Sequence, residues 1–443
     1  MATHDSNSSL SANIMDTLRP KLARIGGPAL IIGIIGLVVA GLGAATQPEQ
    51  FFRSWLFAFL FWLGLTTGSL AWLMVHHTTG GGWGFVVRRP LEAATRLLPF
   101  MLVVFVPILV PMLLGQGTLY PWADPTHIKG DEVIEHKQAW LNVPGFVIRA
   151  AIYFAIWIGL AFVFNKWSRD LDNKPDQREK IVHRFALLGP PGLILYVLTL
   201  TGAAVDWVMS QDPHWYSSLY GGLFVIGQGL ATLSFLNVMI GVLSKDNDLL
   251  KWVPRKYIGD LGNLNMAFTL LWAYFNYSQW LIMYAANISE ETVWFLQRMR
   301  NGWQYLAGAL ILVQFLLPFL TLAIGTDIKR TPSRLKWVAG IILFMRAVDL
   351  FWFSQPTHRT HLGIHWIDIA AFAGIGGIWM WMWTKELSKA KTWVQENDVR
   401  LHGEWPPHED HHAAAPGDEV GPAAHAGVET NRPVVGGSEV AHG

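Results

Sequence analysis

Apolar residues in this chain arrive in blocks about as long as a lipid bilayer is thick, and no other property limits the fold as tightly. A helix of about 20 apolar residues spans the hydrocarbon layer. Ten such blocks can be drawn, near 26–45, 51–76, 94–115, 144–166, 184–209, 216–243, 263–285, 300–325, 333–354 and 362–384. With 52% hydrophobic and only 15% charged residues over 443 positions, an ordinary water-soluble globule is excluded. Only helices satisfy their own backbone over such lengths in lipid. The expected fold is therefore an all-α integral membrane protein of about ten transmembrane helices.

The charges orient it. Odd-numbered spans start from ends rich in Lys and Arg, such as Arg19, Lys21 and Arg24, then Arg88, Arg89 and Arg96, and Lys329 to Lys336. Lys385, Lys389 and Lys391 follow the last span, whereas the opposite loops hold acids such as Asp124, Asp131, Glu132 and Glu135. Positive residues stay on the cytoplasmic side, which puts both termini in the cytoplasm of a multi-pass protein. The first span follows basic residues and lacks a small-x-small exit, so it reads as an uncleaved span. With no cysteine in the chain, disulfides, protein-bound iron–sulfur clusters and covalent c-type haem are excluded.

Three segments follow from composition: a polar N-terminal segment (1–18), a ten-helix membrane domain (19–390), and a His-rich tail (391–443) too polar to build a core. The tail is expected to be a disordered cytoplasmic extension rather than a metal site, for its histidines show no fixed ligand spacing. Spans two to five and six to nine read as two four-helix bundles, leaving the first and last helices peripheral. Each group opens with a helix rich in small residues (Gly64, Gly68 and Ser69; Gly221, Gly222, Gly227 and Gly229), which let membrane helices approach closely. The longest outer loop, Gly115 to Pro144, with Pro121, Trp122 and His127, is expected either to cap the bundle or to dock a partner.

Ionisable residues inside a bilayer are costly, about 2.5–3.5 kcal/mol each on insertion scales, and mark functional sites. Here they fall in the outer halves of several spans. Arg346 and Asp349 lie at i, i+3 on span nine, and His365 and Asp368 at i, i+3 on span ten, where each couple can pair. Asp206 closes span five at the same level, and His358 and His361 sit in the turn between spans nine and ten. Asn276, Tyr277, Gln279 and Tyr284 come from span seven, Arg149 and Tyr153 from span four. Gathered at one depth, these would form a hydrated pocket open to the outside and could relay protons, since Asp and His respond readily to burial and neighbours. Two other readings stand beside this one: neutralised pairs holding helices together, or direct contact with a quinone head group. The inner half offers Thr66, Thr67, Ser69, Gln228, Thr232, Asn237 and Gln314 but no acid at mid-depth, so an outward half-channel is better supported than a full wire.

His76 and His77 meet the cytoplasmic interface before the glycine-rich turn Gly80–Gly84. They are the candidates for contact with a quinone, although as b-type haem ligands they lack facing histidines at their depth. The glycine turn is no phosphate loop, because no Lys and Ser/Thr open a helix after it. No nucleophile–base set, metal-ligand set or nucleic-acid surface stands out.

The segments FWLGLTTGSLAWLMVHHTTGGGWGFVVRRPLEA (61–93), PFMLVVFVPILVPMLLG (99–115) and LYPWA (119–123) resemble the NrfD-like, or polysulfide-reductase membrane-subunit, family, in its branch from bacterial alternative complex III. The likeness covers about residues 20–390; its second-span motif is specific and the rest matches mainly in topology. It implies a bacterial inner-membrane subunit of a quinol:electron-acceptor oxidoreductase. The implied partners are multihaem c-type cytochrome subunits, an iron–sulfur subunit, a sister NrfD-like subunit (ActC), small membrane subunits and lipids. Quinol or menaquinol would be oxidised at the level of the complex, with the quinol site better placed in the sister subunit and no covalent cofactor or active site in this one. The rival expectations are a free-standing proton-coupled secondary transporter and a purely structural anchor.

Overall fold

The structure, a computed structural model, describes residues 4–244, 253 and 255–393; the His-rich tail beyond them lies outside the described residues. Among those residues the fold is all helix. The long elements are α1 (His4–Thr46), α2 (Pro48–Thr79), then α3 (Gly82–Thr95) and α4 (Leu98–Leu113). Two short turns in the outer loop, α5 (Pro125–Ile128) and α6 (Glu132–Lys137), precede α7 (Val143–Asn173), α8 (Arg178–Trp207), α9 (Tyr220–Leu243) and α10 (Arg255–Ala286). After α11 (Ser289–Arg298) comes α12 (Trp303–Ala309), which runs through a π-helical stretch, Leu310–Leu316, into α13 (Leu317–Ile324). The chain closes with α14 (Thr326–Arg330), α15 (Pro332–Ser354) and α16 (Trp366–Ser388).

Local chemistry explains several boundaries. Pro332 starts α15 where a missing N–H costs nothing. The Asn142 side chain caps α7 by accepting from the Gly145 N–H at 2.7 Å. The first helix starts well before its apolar block: Ile14, Met15 and Leu18 are buried, so part of the segment expected to be merely polar packs as helix.

Among the described residues, eight helices are long and apolar enough to cross a membrane, or nine if α3 and α4, bent by 43° at their junction, count as one span. The expectation was ten. The difference is α10, 32 residues long but diluted by Asn265, Asn276, Tyr277 and Gln279. It still runs antiparallel along α9, since Ser217 just before α9 meets Gln279 while Ser234 further along meets Asn265.

The packing closes two rings. Helices α2, α4, α7 and α8 form one four-helix group, and α9, α10, α13 and α15 form the other, joined through α2 and α8 against α9. Helices α1 and α16 pair outside them, with α16 resting on α2. A methyl group added at Gly36 or Gly377 would fall inside the backbone of the opposite helix, so this pair depends on glycine. Helix α2 is the hub, with 89% of its apolar stretch buried against 28% for α1.

Candidate functional site

Three buried carboxylates sit near helix ends, Asp206 and Asp349 toward the C-terminal ends of α8 and α15 and Asp368 in the first turn of α16, and each meets its own arginine. Asp206, fully buried at the end of α8, accepts from Arg149 Nε at 2.8 Å and Nη2 at 2.9 Å, from the Tyr153 hydroxyl at 2.9 Å and from the Trp140 indole at 2.9 Å. The Trp140 ring covers that guanidinium, 4.2 Å away. All of Asp206's lone pairs thus have donors.

Asp349 is held differently. Arg346 pairs with its Oδ2 one helical turn away on α15, as the i, i+3 spacing predicted, and the Trp272 indole of α10 donates to the same oxygen at 2.8 Å. Its Oδ1 is buried without a hydrogen-bond partner. The arginine head lies against Gly227 of α9, where any side chain would collide with it. Both amide atoms of Gln314, in the π-helical stretch, and the Asn265 and Asn237 amide nitrogens of α10 and α9 are likewise buried and unpartnered. Such polar atoms inside a protein ordinarily hold water.

Asp368 departs from the expected pairing. At i, i+3 it was expected to pair with the His365 ring, but it takes only the His365 backbone N–H, at 2.8 Å. Its charge partner is Arg359 of the preceding turn, at 2.7 and 2.9 Å, with the Ser54 hydroxyl of α2 at 2.6 Å. His365 serves as the N-cap of α16, its Nδ1 accepting from Ile367 N. The turn between α15 and α16 folds back so that Arg359, not the histidine, reaches the carboxylate.

His358, in the same turn, shares a hydrogen bond with the Gln211 amide at 2.9 Å. Burial pushes its imidazole down to about 3, and the charges of Arg53, Arg359 and Arg298 add to the effect. Its ring is held in the neutral form at physiological pH. Gln279 is buried with its carbonyl accepting from the Ser217 hydroxyl, while Tyr277 is exposed on the outside of α10. The acids expected to form one cluster each pair with a separate arginine, and the His358–Gln211 contact joins the turn before α16 to the segment after α8.

The two histidines at the C-terminal end of α2 lie far along that helix from Ser54, which meets Asp368. His76 is buried beside Gly84, and His77 stacks flat on Phe185 with ring centres 3.8 Å apart. The His77 ring is thus held by aromatic packing, while its Nε2 is buried without a hydrogen-bond partner.

The sequence reading missed a second charged centre close by. Glu92 of α3, 1% exposed, accepts from Arg88 Nε and Arg89 Nη1, each at 3.0 Å, and from Ser168 of α7. Arg89 also holds Asp172 with contacts of 2.7 and 2.8 Å. The twin arginines first read as a topology marker thus form a buried network. The i, i+3 and i, i+4 spacing of both arginines to Glu92 was the available sign.

No protein-family model matches the chain, and no curated protein matches it either. What the molecule can do rests on its own geometry. Charges satisfied on every side, as at Asp206 and Glu92, hold helices in place. Asp349 differs from them in having one buried carboxylate oxygen without a donor.

Proposed function

We propose that the chain is a membrane subunit of a quinol:electron-acceptor oxidoreductase of the alternative complex III kind, in the position of its second NrfD-like component (the ActF type), in a bacterial inner membrane. In that role it supports assembly with the multihaem cytochrome, iron–sulfur and sister NrfD-like subunits and carries protons through an outer half-channel ending at Asp349. The second-span motif supports the family assignment. The bare Oδ1 of Asp349 carries the proton reading: it is a buried carboxylate oxygen with no donor, in a bundle where other interior amides also lack partners. Asp206 and Asp368, each paired with its own arginine, would stand at the outer end of this route.

The test is proton release coupled to quinol oxidation in the assembled complex, compared for wild type, Asp349→Asn and Asp368→Asn. Loss of release in Asp349→Asn, with a smaller change in Asp368→Asn, is expected. Wild-type release in both ends the conduit reading and leaves the structural anchor, which the three arginine-matched carboxylates favour. Stable purification as a lone protein, without cytochrome or iron–sulfur partners, would instead favour a transporter.

A further inference from the structure

A cavity of about 680 Å³ opens between α10 on one side and α12 with the π-helical stretch on the other, bordered by α11 and backed by α15. Buried Trp272, Trp352 and Phe353 form its back wall. Tyr277 of α10 and Ile311 of the π-helical stretch, both exposed, form its rims, so it opens sideways toward the bilayer. No lining residue is charged. Its two amide side chains already bond within the protein: the Gln279 carbonyl accepts from the Ser217 hydroxyl, and the Asn276 amide donates to the Trp272 carbonyl at 2.9 Å. What the walls offer an occupant is chiefly hydrocarbon and aromatic surface.

The length of the cavity matches one leaflet. Along α10 its lining runs from Leu270, at the middle of that helix, to Trp280, near its C-terminal end. At 1.5 Å per residue this is about 15 Å, half of a hydrocarbon core about 30 Å thick. Toward its N-terminus α10 packs against α13 and α14, and a methyl group added at Gly262 would lie 2.9 Å from Lys329 Cβ. A membrane-crossing helix of a partner would need the gap open over both leaflets, whereas a single acyl chain needs only one. Left empty, the walls lose dispersion contacts on one side, and a chain restores them. The end beside α11 is suited to a head group. Met299 of the lining is followed by exposed Arg300, in the turn between α11 and α12. The Trp280 and Tyr284 rings stack near the C-terminal end of α10, with centres 5.1 Å apart. Such rings sit at head-group level, and an arginine there suits a phosphate.

We infer that this cavity holds one acyl chain of a glycerophospholipid, in the leaflet at the C-terminal end of α10, with the lipid phosphate beside Arg300. The chain is a fixed structural lipid, distinct from those that exchange freely along the surface. The site is built from the second four-helix group and does not depend on the proposed complex. One wall residue, Trp272, also donates to Asp349, so the chain packs on a ring that holds the buried pair.

The test is photolabelling of the full-length chain in native membranes with a phosphatidylglycerol bearing a diazirine midway along one acyl chain, followed by peptide mapping. The exposed face of α1, with Ile31, Ile35 and Val38, reports ordinary surface lipid in the same sample. Label per residue in 270–280 and 307–315 is expected to exceed that on α1 at least about fivefold. Ala307→Trp, which fills the cavity, brings it down to the level of α1. Arg300→Gln lowers it about two- to fivefold. An equal amount of menaquinone-4 leaves it unchanged. Wild-type label no higher than on α1 overturns the assignment, since only surface lipid, or a partner covering the face, is then present. So does displacement by menaquinone-4 or undiminished labelling of Ala307→Trp, and unaltered labelling of Arg300→Gln overturns the placing of the phosphate. The wild-type map decides the matter even where a variant fails to fold.

Discussion

The two charged centres of this molecule are built from the same residue types and solve opposite problems. Around α3, Glu92 and Asp172 share Arg88 and Arg89, and Ser168 donates to the glutamate, so each oxygen of the glutamate has a donor and the arginines are held by two acids. In the C-terminal half of α15, Arg346 and Trp272 converge on one oxygen of Asp349 and leave the other bare. The first arrangement resists change of protonation, because losing either partner strands a buried charge. The second leaves room for a proton. Burial alone does not distinguish the two sites; the count of donors per oxygen does.

The comparison can be broken most forcefully at Glu92. Glu92→Ala strands two arginines and is expected to cost about 3–5 kcal/mol, read as the loss of unfolding free energy in detergent. A variant as stable as wild type would mean the network is slack.

A smaller effect is expected at His358. Its folded value of about 3 lies below the ordinary 6.5, so the unfolded chain takes up the proton first. The stabilisation is complete above about pH 6.5 and is lost as pH falls toward 3. Between pH 7 and 5 this amounts to about 2 kcal/mol. Chemical denaturation at both pH values should show that loss shrinking in His358→Gln, which keeps a donor for Gln211; equal slopes would contradict the assignment.

Next in size is the cap of α7, which sets the entry of the helix carrying Arg149. Asn142→Ala is expected to cost about 1 kcal/mol, visible as a shift in the denaturation midpoint, with the Arg149–Asp206 contact retained.

The least change is expected from replacing the Asp349 pair outright. Swapping a buried ion pair for apolar residues of similar volume is often neutral in stability, so Arg346→Met with Asp349→Leu should stay within about 1 kcal/mol of wild type while abolishing any proton release through this subunit. A large loss of stability together with unaltered release would make this pair glue as well, and erase the contrast with Glu92.

Much of the architecture was legible in advance because hydropathy is a local property. Apolar blocks marked every long helix, and small-residue helices marked the openings of both four-helix groups. The tenth span was the exception, since the Asn, Tyr and Gln residues that dilute α10 line the interior and the cavity. The Arg346–Asp349 pair was legible for the same local reason, being one turn apart. His365 and Asp368 had equal spacing and still did not pair, because the histidine stands at the helix start, where its side chain caps the backbone, and a looped-back Arg359 competes for the carboxylate.

By itself, then, the sequence determined that this chain is a bundle of membrane-length helices, which stretches of it are apolar, and where its intramembrane acids fall along them. Tertiary structure alone decided that Asp206 answers to Arg149, 57 positions away, and that Glu92 sits inside a closed network. It also decided that a cavity opens between α10 and the π-helical stretch. The reason is physical: periodicity fixes which residues share a helix face, whereas a buried charge is partnered by whatever donor the facing helix or returning loop brings within about 3 Å.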